Sequence, residues 1–115
     1  MILITGTKGY IGSKMFEYFI RKGHPVKGLD CGFFNNCSVN KQRLNQRSKI
    51  KDIRNLNISD FKDIETVIHL AALSNDPIGN FNKKWTEDIN YKATIKIAKL
   101  AKKAGVKKFI FSSSC

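Results

Sequence analysis

The run Thr5-Gly6-Thr7-Lys8-Gly9-Tyr10-Ile11-Gly12 follows directly on the apolar Met1-Ile2-Leu3-Ile4. A strand that feeds a glycine-rich turn and then opens a helix can cradle a dinucleotide pyrophosphate. Gly6 allows the tight turn, Gly9 keeps a side chain out of the path of a phosphate, and Gly12 lets the new helix lie close to the strand. The unpaired N–H groups and the positive dipole end of that helix then face the anion. Asp30 stands 18 residues beyond Gly12, at the end of a second apolar segment. A carboxylate there can accept hydrogen bonds from both hydroxyls of an adenosine ribose and repels a 2′-phosphate, which favours NAD over NADP. The alternative, a solvated aspartate at a strand end, loses weight because the glycines precede it at the right distance.

Further chemistry-bearing residues recur near the ends of predicted strands. Asp52 follows the third strand, where a carboxylate can meet an adenine amino group. His69-Leu70-Ala71-Ala72-Leu73-Ser74 closes the fourth, and its small residues let backbone approach a flat ligand. His69 alternates with inward apolar neighbours and reads as a packed structural histidine. Asn90, near the start of a long helix, suits either of two tasks: facing a cofactor or tying helix to strand. Ser112, Ser113 and Ser114 close the fifth strand. A serine hydroxyl there can hold a substrate oxygen, but serine is a poor base and needs a titratable partner. Tyr10-x-x-x-Lys14 has the spacing of an acid/base pair but lies inside the phosphate turn, so the match is coincidental.

The elements that must position these residues alternate. Residues 1–5 read as a buried strand. Residues 10–22 read as a helix with Ile11, Met15, Phe16, Phe19 and Ile20 on its apolar side, ended by Gly23 and Pro25. Residues 26–30 form a second strand. Residues 31–48 form a long loop with a helical turn near 41–44, and loops of this length are often functional. Residues 49–53 form a third strand, 60–64 a brief helix, 66–70 a fourth strand, 85–104 a long helix and 107–112 a fifth strand. The long helix buries Ile89, Ala93, Ile97, Leu100, Ala101 and Ala104. Such alternation predicts an α/β fold: a Rossmann-type doubly wound parallel sheet of strand order 3-2-1-4-5, with ligands at the carboxyl ends of the strands. The expectation is one domain over residues 1–115, truncated after its fifth strand.

The net charge is +12. Lysine outnumbers arginine 17 to 4, and Lys92, Lys96, Lys99 and Lys103 step along one solvated helix face. The basic stretch from Lys41 to Arg54 has no interleaved aromatics on which bases could stack. Both features argue against nucleic acid as the main partner, and attraction of an anionic nucleotide is a simpler use of the charge. No apolar stretch reaches 18 residues, so no membrane span is expected. Cys31, Cys37 and Cys115 form no CxxC pair and read as reduced thiols of a cytoplasmic protein.

Taken in order, Thr5–Gly12, Asp30, Asp52-Ile53, His69–Ala72, Asn90 and Phe109–Ser114 resemble the extended short-chain dehydrogenase/reductase family, the NAD-dependent epimerases and dehydratases of nucleotide sugars. The resemblance covers the whole chain. It implies that Tyr10 and Ile11 touch the pyrophosphate through their backbone beside Gly6, Gly9 and Gly12. It further implies that Asp30 holds the ribose, and that Asp52 and Ile53 bound the adenine. Leu70, Ala71, Ala72, Ser74 and Asn90 line the nicotinamide side with Ser112, and Ser114 matches the catalytic serine; no metal is implied. The tyrosine–lysine pair that family members use as acid and base, and their substrate domain, come later in the chain than these motifs. The expectation is therefore an N-terminal portion, inactive alone, of a homodimeric enzyme acting by transient hydride transfer at a sugar carbon. A non-catalytic NAD-binding module is the alternative, and a basic nucleic-acid binder a weaker one.

Overall fold

Adjacent apolar residues on the central strands face opposite ways, and this organises the whole molecule. In a computed structural model, which describes residues 1–33, 47–73 and 83–113, strand β1 (Ile2–Thr5) lies at the centre of a five-stranded parallel sheet. β2 (Val26–Asp30) and β3 (Ser48–Ile50) lie to one side of it, β4 (Thr66–His69) and β5 (Lys108–Phe111) to the other, giving the order β3-β2-β1-β4-β5. Ile2 pairs with Val26 and Thr66, and Thr5 with Leu29 and His69, so the carboxyl ends of β1, β2 and β4 are level. The predicted Rossmann-type order is the observed one.

Two cores result. Ile4 and Ile68 turn to one face with Val26 and the fully buried Phe16 of helix α1 (Tyr10–Arg21), with Met15, Phe19 and Ile20 packed beside them. Leu3 and Val67 turn to the other, where Leu29, Ile53, Leu56, Phe61 and Ile64 meet Ala93, Ile97 and Ala101. Helices on both faces leave the strand ends open, and a side chain pointing to the wrong face would bury nothing. Gly28 makes room for this packing: a Cβ there would lie 2.9 Å from the Phe16 ring and 3.0 Å from Ser48 Cβ.

Several local expectations are corrected. The third strand ends at Ile50, and Asp52 instead caps a 3-10 turn, Ile53–Asn55, by accepting the Arg54 N–H. A short polar side chain able to bond the backbone two residues on favours such a turn over continued strand. The brief helix is a 3-10 turn at Ile58–Phe61, set earlier by the capping box between Asn57 and Asp60. Ile11 lies on the apolar side of α1 yet is 59% exposed, in the first turn of the helix beside the glycine turn. The long helix is continuous but not uniform. It comprises α2 (Lys83–Thr86), a π-helical segment (Glu87–Ala93) and α3 (Thr94–Lys103). The helical turn expected near 41–44 lies outside the described residues.

No helix among the described residues is long and apolar enough to cross a membrane. They also contain no cluster of three histidines, cysteines or carboxylates able to hold a metal ion. Cys31 is a free, exposed thiol.

Candidate functional site at the strand ends

The glycine turn is dictated by sterics. Gly6 has φ +78°, a region that side chains resist, and a Cβ on it would sit 2.8 Å from the backbone nitrogen of Ala71. Gly12 is tighter still: its Cβ would fall 1.9 Å from the carbonyl oxygen of Gly6, so the first turn of α1 rests directly on the turn that precedes it. Gly9 is the N-cap of α1, with no side chain capping the helix and no acidic residue in its first turn. The leading N–H groups of a helix have no acceptor within it. Here the helix begins at Tyr10, which is 86% exposed. Such an end suits a phosphate.

Asp30 is joined to this turn. Its Oδ2 accepts the Lys8 N–H at 2.8 Å and its Oδ1 the Gly32 N–H at 2.8 Å, while the residue as a whole is only 6% exposed. Each oxygen keeps acceptor capacity beyond one N–H. Asp30 therefore does two things: it ties the glycine turn to the end of β2, and it holds a negative carboxylate at the sheet edge. The first of these was not apparent from the spacing alone.

Asp52 lies beyond β3, one residue past Lys51, whose N–H donates to the Asp30 carbonyl. Arg54 grips its carboxylate through Nε and Nη2, and this hydrogen bonding holds the Asp52 carboxyl below the usual aspartate range. The Ile53 side chain packs in the core at 5% exposure, so only its backbone is available to a ligand.

On the other side of β1, buried side chains hold the β4 end. The Thr5 hydroxyl meets His69 Nδ1 at 2.7 Å, and His69 Nε2 meets the Thr94 hydroxyl at 2.9 Å. Thr5 Oγ1 also accepts the N–H groups of Leu70 and Ala71, each at 3.3 Å. His69 is fully buried, stacks on Phe111, and burial pushes its pKa down to about 4. It is the packed structural histidine that the alternation indicated. Asn90, inside the π-helical segment, accepts the Leu73 N–H at 2.8 Å and donates to the Leu73 carbonyl at 3.0 Å. Its amide thus ties the helix to the segment after β4, the second of the two tasks open to it.

Gly6, Gly9, Gly12, Asp30, Asp52 and Leu70–Ala72 are thereby gathered along one edge, around the point where the chain winds to opposite faces from β1 and β4. In open α/β sheets that crevice is where ligands bind. Ser112 lies just past β5, its N–H directed at the His69 carbonyl at 3.4 Å. Ser74 and Ser114 lie outside the described residues. Thr94 and Arg54 belong to this edge and escaped the sequence reading, and Thr5, read only as the start of the glycine run, also holds the end of β4. A second Tyr-x-x-x-Lys, Tyr18 and Lys22, places its ammonium 5.8 Å from the ring centroid. It sits at the far end of α1 from the glycine turn, so the spacing carries no catalytic meaning there either.

The comparisons with known proteins agree with this geometry. Residues 2–115 match the model of the NAD dependent epimerase/dehydratase family. The chain is 35% identical to a UDP-glucose 4-epimerase of Klebsiella pneumoniae over 128 residues, covering 98% of this chain and 88% of that protein. A UDP-glucuronate 4-epimerase of Thermodesulfobacterium geofontis is 28% identical over 97% of this chain. Among solved structures, UDP-N-acetylglucosamine 4-epimerase from Methanobrevibacter ruminantium M1, in complex with UDP-N-acetylmuramic acid, superposes with a TM-score of 0.85 at 28% identity. That match covers 98% of this chain and 37% of that one. MoeE5 in complex with UDP-glucose and NAD gives 0.82 at 29% identity, with 98% and 36% covered. The chain spans 38% of the length of its relatives from Methanocaldococcus jannaschii and Thermodesulfobacterium geofontis. A glycine turn built on backbone contact, an aspartate bonded to it and a matching model over nearly every residue lead to one conclusion: the chain belongs to the NAD dependent epimerase/dehydratase family.

Proposed function

We propose that residues 1–115 form the NAD-binding portion of a nucleotide-sugar epimerase or dehydratase. The observation that carries this reading is the bond from Lys8 N–H to Asp30 Oδ2, which brings an anion-binding helix end and a ribose-binding carboxylate into one rigid unit. The residues fit the cofactor: Gly6 and Gly12 leave no room for side chains, and Gly9 leaves the helix end uncapped. The backbone of Gly9 to Gly12, through Tyr10 and Ile11, would receive the pyrophosphate. Asp30 would accept the ribose hydroxyls, and its charge would turn away a 2′-phosphate. Asp52 and the Ile53 backbone would bound the adenine. Leu70, Ala71, Ala72, Ser74 and Ser112 would lie towards the nicotinamide, with Asn90 holding the backbone of Leu73.

NAD, when bound, supplies a hydride acceptor and donor. This chain's residues bind and orient: the glycine turn and Asp30 hold the cofactor, and the Ser114 hydroxyl steadies the substrate oxygen. Proton transfer from that oxygen falls to a tyrosine–lysine pair further along the whole protein, so residues 1–115 bind without turning over. The whole protein acts on a nucleotide sugar and works as a cytoplasmic homodimer on this reading.

Calorimetry tests it. The protein should bind NAD and not NADP, and Asp30→Ala should weaken NAD by roughly tenfold or more, the loss of hydrogen bonds to a charged acceptor. Equal affinity for NAD and NADP, or an Asp30→Ala variant that folds and binds NAD unchanged, would overturn the reading.

A further inference from the structure

Asp52 is the group best placed to tell adenine from other bases, yet both of its oxygens are engaged by Arg54. Oδ1 receives the Arg54 N–H at 2.8 Å and Nε at 3.1 Å; Oδ2 receives Nε at 3.0 Å and Nη2 at 2.6 Å. Arg54 thus brings three hydrogens, its single Nε–H shared between the two oxygens, so that both oxygens are engaged though not every one of the carboxylate's roughly four lone-pair sites is filled. The backbone of Arg54 is held separately, because Lys96 of α3 donates to its carbonyl at 2.6 Å. The guanidinium can therefore leave Asp52 by side-chain rotation alone, with the 3-10 turn undisturbed. The Arg54 side chain is 42% exposed and that of Asp52 26% exposed, so the pair is only modestly stable despite its fork geometry.

From these contacts we propose that Arg54 is a specificity-determining residue that occupies Asp52 in competition with the base of the bound dinucleotide. The inference rests on the reading of the strand-end crevice as an NAD site with adenine beside Asp52. While Arg54 is in place, the 6-amino group of adenine meets a carboxylate whose charge is paired and whose two oxygens are already engaged, and the protein gains little from adenine over a base lacking that donor. Removing the guanidinium while keeping the backbone N–H leaves Oδ1 capping the turn and frees Oδ2 entirely.

The probe is nicotinamide hypoxanthine dinucleotide, which presents a carbonyl where NAD presents the amino group. Binding of both dinucleotides is measured by calorimetry to the unaltered protein and to Arg54→Gln, Arg54→Lys and Asp52→Ala/Arg54→Gln. The unaltered protein should prefer NAD by no more than about twofold. Arg54→Gln should raise that preference to about fivefold, the size expected when an exposed ion pair gives way to a hydrogen bond with a carboxylate. Arg54→Lys, a point charge that cannot grip both oxygens, should fall between. The double variant should lose the preference. Arg54→Gln and Arg54→Lys variants that bind both dinucleotides with the unaltered ratio would overturn the role of Arg54 and leave the NAD site standing. Binding of neither dinucleotide by any form would overturn the NAD site and the role of Arg54 with it.

Discussion

The two sides of the crevice are built by different means. On the β1–β2 side, shape is fixed by what is missing: hydrogen atoms at Gly6 and Gly12 where any Cβ would strike backbone, and a carboxylate that needs only two N–H groups to stay in place. On the β4 side, shape is fixed by what is present: a relay from the buried Thr5 and His69 to the half-buried Thr94, and an amide clasp from Asn90 to Leu73. Backbone sterics tolerate no substitution and leave a signature in spacing. A side-chain network depends on residues far apart in sequence whose partners no local pattern announces. The first construction makes a rigid anion cradle, and the second a polar anchor whose strength depends on protonation.

The steric side should break hardest. Gly12→Ala puts a methyl 1.9 Å from the Gly6 oxygen, so the turn or α1 must shift. The expected loss is on the order of 4 kcal/mol of stability in denaturant unfolding, with NAD binding abolished. A Gly12→Ala protein that melts like the parent would refute the cradle geometry.

The network side should respond to pH instead. His69 is pushed from 6.5 to about 4 by burial, so the unfolded chain binds a proton more readily than the folded one. Stability attributable to this residue is complete above pH 6.5 and drains away as pH falls towards 4, by about 3 kcal/mol in total. His69→Leu should lose roughly 2 kcal/mol at neutral pH by stranding the two threonine hydroxyls, and its unfolding should lack the pH dependence over that window. An unchanged slope would place the proton elsewhere.

The smallest effect expected is at the clasp. Asn90→Ala removes two hydrogen bonds to Leu73 and should cost about 1–2 kcal/mol, leaving NADP discrimination by Asp30 intact. If discrimination fell as well, the two sides would not be independent.

The same contrast explains how much could be read in advance. The glycine turn, Asp30 and the strand order were legible because they rest on spacing and on apolar alternation. His69 was legible as core because its neighbours alternate. Asp52 was placed correctly at the edge, but its bond to Arg54 was not, since nothing in a two-residue separation distinguishes a clasp from two solvated charges. The end of β3 was misplaced because Ile50 and Ile53 are both apolar, and only the cap at Asp52 decides that one is strand and the other turn. Ile11 follows the apolar period of its helix faithfully. Periodicity gives the facing of a residue, whereas exposure also depends on where along the helix it stands.

The π-helical segment has a consequence for how this chain can change. A π-turn carries about one residue more than an α-turn over the same rise. Deleting one residue between Glu87 and Ala93 would let the stretch relax to ordinary α-helix while α3 kept its place on the core. Because the residue lost is the extra one, α2 would keep its direction and its facing. A deletion within α3 would instead turn everything before it by about 100° around the axis. Changes of length in this helix should therefore gather between Glu87 and Ala93, where the Asn90 clasp on Leu73 decides which residue can be spared.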